Sequence, residues 1–158
     1  MSILTTNRKP GGKRAAMIGA ILAIIILVAA AIFCVYIFTL GDKDPQVTVS
    51  KDGISIKGMY GLDIPWSEVE GGITLLEQSM AEIGAGRRVN GYAGFGDGLK
   101  GFFSSEELGR ILLFVKASSS PTIKIGRGEK EDVYISLADG EKTRELYGEI
   151  EAALSGNG

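Results

Sequence analysis

The residues able to do chemistry are few, and their spacing joins none of them into a working device. The 158-residue chain has no histidine, so the usual imidazole acid/base and the commonest transition-metal ligand are both missing. Serines cluster at Ser104-Ser105 and Ser118-Ser119-Ser120, but a serine hydroxyl needs an adjacent base to become a nucleophile. Glu68 with Glu70, and Glu106 with Glu107, are close carboxylate pairs that read as solvated loop charge. Gly126-Arg127-Gly128 is too short to cradle a phosphate, and no Gly-Lys-Ser/Thr sequence follows a glycine cluster. The single cysteine, Cys34, lies inside an apolar run, which leaves no disulfide and no cysteine zinc site for the rest of the chain. No catalytic residue, cofactor or metal is expected, and the chain reads as non-enzymatic.

The stretch that must position everything else runs from Met17 to Leu40. It contains no charge and no proline, and fourteen of its residues are Ile, Leu, Val or Phe. As a helix rising about 1.5 Å per residue it reaches roughly 36 Å, slightly more than the roughly 30 Å hydrocarbon core of a bilayer. In lipid the segment must be helical, because only a helix satisfies its own backbone polar groups there. The run is longer than the about 7–15 apolar residues of a signal peptide. Strongly apolar residues follow Ala29-Ala30-Ala31, and the bulky Phe33 precedes Cys34. An uncleaved anchor is therefore expected, with the bilayer as partner. Gly19 and Ala23 form a small-xxx-small pair, which permits close helix association, although alanine-rich spans produce such pairs by composition alone.

Charge is divided unevenly about this span. Residues 1–16 read as a basic disordered tail with Arg8, Lys9, Lys13 and Arg14 and no acidic residue. Cytoplasmic flanks carry the excess of Lys and Arg, so the N-terminus is expected inside and the C-terminal domain outside. Four of the 17 basic residues precede the span, leaving 13 against all 19 carboxylates and a net charge of −6 on the rest. An acidic domain of that kind argues against nucleic acid and against sliding on anionic lipid.

Beyond the span, Gly41–Pro45 reads as a short linker, and Gln46–Leu154 as one modest domain; residues 155–158 read as a flexible end. Val47 and Val49, then Ile54 and Ile56, alternate with polar residues around Lys51-Asp52-Gly53, which predicts a hairpin. Gly58–Val69 reads as a connector. Further strands are expected at Gly72–Gln78, Arg88–Phe95, Leu99–Phe103, Arg110–Lys116, Thr122–Gly126 and Asp132–Leu137, with Ser79–Gly86 as a loop. Asn90-Gly91 inside its strand pattern suggests a bulge or bend. Short strands at this spacing imply an antiparallel sandwich or barrel of 7–8 strands. At the end the period changes: Thr143, Leu146, Tyr147, Ile150, Ala153 and Leu154 form one stripe of an amphipathic helix, with Asp139 as its cap. That stripe is expected to plug an open end of the barrel.

This order of elements resembles the pleckstrin-homology (PH-like) superfold, and the local wording resembles bacterial PH-like domains attached to membrane spans. The residues that carry the resemblance are Ile54-Ser-Ile-Lys-Gly-Met-Tyr-Gly61, Ile64-Pro65-Trp66-Ser67-Glu68-Val69, Arg88-Val-Asn90-Gly91-Tyr92 with Gly101-Phe102, Val133-Tyr-Ile-Ser136, and Glu141-Lys-Thr143-Arg-Glu-Leu146-Tyr147. The resemblance implies a mainly-β PH-like barrel capped by the C-terminal helix, and it implies no reaction. Phosphoinositide-binding members share a basic cluster on the first hairpin, where this chain offers Lys51 and Lys57 beside Asp52. Those two lysines are the candidate lipid-binding residues of an alternative reading. The first reading is protein interaction or assembly at the membrane surface, with an unidentified protein or a second copy as partner. Its candidate contacts are Tyr92, Phe95 and Phe102 on a glycine-rich hairpin, since aromatic side chains anchor interfaces best.

Overall fold

A computed structural model of the chain describes residues 11–94 and 96–156. Helix α1 (Gly11–Gly41) is the one helix among them long and apolar enough to cross a membrane. It begins ahead of the apolar run and takes in Lys13 and Arg14, residues first assigned to the tail. Once a helix is nucleated, adding good helix formers such as Lys, Arg and Ala costs little. The expected disorder of residues 1–10 falls outside the described residues. The side chains of α1 are exposed all round, Leu27 at 71%, as they would be on a lipid-facing helix. The described residues divide into two compact units, one ending at Ile37 and one beginning at Phe38.

Among the described residues the second unit holds nine strands. β1 (Gln46–Val49), β2 (Gly53–Lys57) and β3 (Leu62–Pro65) form an antiparallel three-stranded sheet. A 3-10 turn at Trp66–Glu68 follows, then β4 (Ile73–Leu76), helix α2 (Met80–Ile83), β5 (Arg87–Ala93), β6 (Gly98–Ser105), β7 (Gly109–Lys116), β8 (Thr122–Ile125), β9 (Asp132–Ile135) and helix α3 (Gly140–Ser155). The second sheet has six strands in the order β4-β8-β9-β7-β6-β5.

Three departures from expectation stand out. β3 lies inside the stretch read as a connector, where Ile64 is buried and pairs with Ile54. The strands are not all antiparallel: β9 turns back from β8 and inserts beside β7, which it pairs in parallel. The two sheets share no ladder among the described residues, so they do not close into a barrel. Instead of plugging a barrel end, α3 lies against β1, β4 and β8, spanning from an edge of one sheet to the other. Thr143, Leu146 and Ile150 are buried in that contact. Asp139 caps the helix as expected, its carboxylate accepting the Glu141 N–H at 2.9 Å.

β7 shows why the six-stranded sheet needs cover on both faces. Leu112 and Phe114 point into the main core with Ile54, Ile56, Ile64, Ile123, Ile125, Val133 and Ile135. Ile111, Leu113 and Val115 point the other way, into a second cluster with Met80, Phe103 and Tyr134. The segment read as a loop, Ser79–Gly86, supplies much of that second cover. It forms α2 through a capping box in which Ser79 accepts the Glu82 N–H and Glu82 accepts the Ser79 N–H. Met80 is fully buried beneath it.

Candidate functional site

The hairpin of β5 and β6 was expected to offer aromatics on a backbone bare of side chains. Its glycines are used for close approach, but the approaching groups belong to this chain. Gly91 and Gly101 are register partners. A Cβ on Gly91 would fall 2.4 Å from the Lys100 carbonyl oxygen, and one on Gly101 2.6 Å from that of Asn90. At the turn, a Cβ on Gly96 would fall 2.4 Å from the Asp42 carboxylate. The bare turn therefore receives a side chain from the residues that follow α1.

Residues 42–44 are bonded into the second unit at each position. An Asp42 carboxylate oxygen accepts the Gly98 N–H at 2.9 Å and stands 3.1 Å from Lys116 Nζ, which also donates to the Asp42 carbonyl. Lys100 Nζ donates to the Lys43 carbonyl at 2.5 Å. The Asp44 carboxylate accepts the Ala138 N–H at 3.1 Å. Partial burial would raise the Asp42 pKa, but the Lys116 ammonium and the Gly98 N–H outweigh it and hold the carboxyl below its ordinary value. Lys100 is shifted downward too, but in the direction that disfavours its charged form. Burial and the neighbouring Lys116 charge lower its pKa, offset in part by Asp42 and Asp44. A buried ammonium is tolerable only when bonded, and the Lys43 carbonyl supplies the bond. The stretch read as a short linker is thus an ordered strap.

Of the candidate partner contacts, Tyr92 is half-buried, its hydroxyl donating to the Phe38 carbonyl at 3.0 Å. Phe102 is half-buried against the main core, with the Arg110 guanidinium 5.8 Å from its ring centre. Phe103, adjacent on the strand, points into the second cluster. Phe95 lies outside the described residues. The lipid candidates are not brought together: Lys51 sits in the β1–β2 turn and Lys57 at the far end of β2. They are six positions apart along extended chain, a separation of roughly 20 Å. Trp66 packs on the core and donates its indole N–H to the Ser50 carbonyl at 3.2 Å.

A second charged cluster joins the 3-10 turn to the residues after β8. Glu68 accepts from Arg127 Nη2 at 2.9 Å and from Lys130 Nζ at 2.6 Å, and both bonds lower its pKa, the Lys130 bond more. The arrangement is a clamp between two connections. Among the described residues, no group of three or more His, Cys, Asp or Glu side chains stands close enough to hold a metal ion.

Sequence reasoning passed over Asp42, Lys100 and Lys116. The signal for Lys100 was present, since it alternates with Leu99 and occupies an inward position shared with Phe102; the signal for Asp42 was not, because its partners lie 56 and 74 residues away. Set against known proteins, the chain matches no family model, no curated protein and no solved structure.

Proposed function

We propose that this chain is a non-enzymatic, membrane-anchored module for protein interaction or assembly at a membrane surface, built on a PH-like domain. The anchor is α1, with the N-terminus cytoplasmic and the domain extracytoplasmic. Support for the PH-like architecture is the succession of short strands ended by one amphipathic helix across the main core; the open sheets and the parallel β7–β9 pair depart from it.

The observation that carries the interaction reading is the strap. Residues 42–44 are bonded to β6, to β7 and to Ala138 beyond the end of β9, so the first residues after α1 are ordered as part of the domain. A tethered module encounters other molecules held in the same membrane at high effective concentration, so weak contacts suffice. The lipid alternative through Lys51 and Lys57 is disfavoured by their separation and by the −6 charge. The test is photo-crosslinking in intact membranes, with a benzophenone amino acid placed in the full-length chain at exposed positions on different faces, such as Glu107, Glu129 and Lys142. Protein adducts from at least one face are expected. Their absence from every face, together with binding of the protein to anionic vesicles, would move the assignment to lipid recognition.

A further inference from the structure

Outside α1, Met59 and Val89 are the exposed large hydrophobic side chains among the described residues, at 38% and 53%. They are far apart in sequence, yet the fold brings their neighbours together. Tyr60, at φ 64°, donates its hydroxyl to the Asn90 side-chain oxygen at 3.2 Å. The β5–β6 register shifts between Arg88 and Asn90, leaving Val89 without a cross-strand partner. A bulge of this kind re-aims a side chain out of the ladder, and here the side chain turned out to solvent is apolar.

The charge beside this patch is equally out of keeping with the rest of the domain. Arg110, Arg127 and Arg144 each pair with a carboxylate, Glu131, Glu68 and Glu77 respectively. Arg87 and Arg88 are exposed and form no ion pair among the described residues, on a domain with six more acids than bases. Both lie on β5, the outermost strand of the six-stranded sheet, and Lys57 is exposed two residues before Met59. Two guanidiniums without an ion pair and the apolar Val89 therefore share one sheet edge, and Met59 adjoins it through the Tyr60–Asn90 bond.

We propose that this edge, formed by Met59, Tyr60, Arg87, Arg88 and Val89, docks an acidic segment of a partner protein that carries an apolar anchor. The proposal rests on the interaction reading above and places the contact on the outer edge of the same hairpin. Arginine forks match carboxylates in bidentate geometry, and arginine is among the residues most enriched where binding energy concentrates. A second copy fits poorly, because symmetric pairing of two β5 edges sets like charges against each other, and the bulge interrupts a regular ladder. An anionic bilayer fits poorly because it would have to attract a domain of net negative charge.

The experiment places the benzophenone residue at Val89 and at Met59 of the full-length chain in its membrane, with Glu129 and Lys142 as positions on other faces. The crosslinked peptides are mapped by mass spectrometry. The expected result is an adduct from Val89 or Met59 to an acidic segment of a different protein, lost in Arg87→Glu/Arg88→Glu and weakened in Arg87→Gln/Arg88→Gln, while the thermal melt of both variants stays that of wild type. A synthetic copy of the mapped segment should bind the full chain in neutral-lipid nanodiscs at least tenfold more weakly after the charge reversal, and more weakly at raised salt. Adducts only from Glu129 or Lys142 would overturn this edge while leaving the interaction reading standing. Adducts to lipid, to a second copy of this chain or to a segment without acidic character would overturn the proposal, and adducts from no position would overturn both readings.

Discussion

Asp42 joins the strap to the hairpin turn, and its protonation state sets a measurable pH dependence. Its folded pKa lies below the ordinary 3.8, so the contribution is present above that value and is lost as pH falls through the lower folded pKa. Its side chain is 38% exposed, and an ion pair so open to water contributes about 1 kcal/mol or less. Asp42→Asn should therefore lower the urea midpoint of the domain at neutral pH. The two proteins should converge as pH falls below the ordinary 3.8 and on through the lower folded pKa, where the wild-type carboxylate protonates. A constant gap across that range would mean that charge is not what Asp42 supplies. Nothing within a few positions of Asp42 announces this role, because hydrogen bonds across 56 and 74 residues leave no periodic trace in a sequence. Position-by-position reading found the cap Asp139, whose partner is two residues away, and missed Asp42 for the same reason.

Among the elements, α3 covers the main core with side chains from one stripe. Ile150 is fully buried and Leu146 nearly so, both within the main core. Truncating a buried Leu or Ile to Ala typically costs about 2–5 kcal/mol, against a total of about 5–15 kcal/mol for a domain. Leu146→Ala/Ile150→Ala should abolish the cooperative melt of the domain, read by near-ultraviolet circular dichroism. Retention of the wild-type melt would show that α3 is peripheral. A milder change tests α2: Ser79→Ala removes one half of its capping box and should cost about 1 kcal/mol, visible as a shift in denaturant midpoint with unchanged slope. The first hairpin and α3 were legible because each keeps one period, two or 3.6, long enough to count. β3 was not, since four residues ending in Pro65 give alternation too little length. α2 was not, because a four-residue helix has no period at all, and only the Ser79-x-x-Glu82 spacing marked it. The parallel insertion of β9 was illegible for another reason: alternation says which face a side chain takes, not which strand lies alongside.

For the whole molecule, the charge asymmetry predicts the side of the membrane on which the domain lies. Arg8, Lys9, Lys13 and Arg14 precede the apolar run with no acid among them, whereas Lys43 on the other flank stands between Asp42 and Asp44. Moving the basic flank across a membrane is the disfavoured event, so the N-terminus is expected to stay in the cytoplasm and the domain to cross. Glu129 is exposed on the domain, and Cys34 is the chain's one cysteine. A Cys34→Ala/Glu129→Cys variant therefore reports on a single thiol. It should react with a membrane-impermeant maleimide in whole cells as fully as after lysis. Reversing the four basic residues to glutamate should reduce labelling in whole cells while leaving labelling after lysis unchanged, because the bias that orients the span would be gone. Protection of Glu129→Cys until lysis in the otherwise wild-type sequence would put the domain in the cytoplasm, and the acidic partner of the β5 edge would then have to be sought among cytoplasmic proteins.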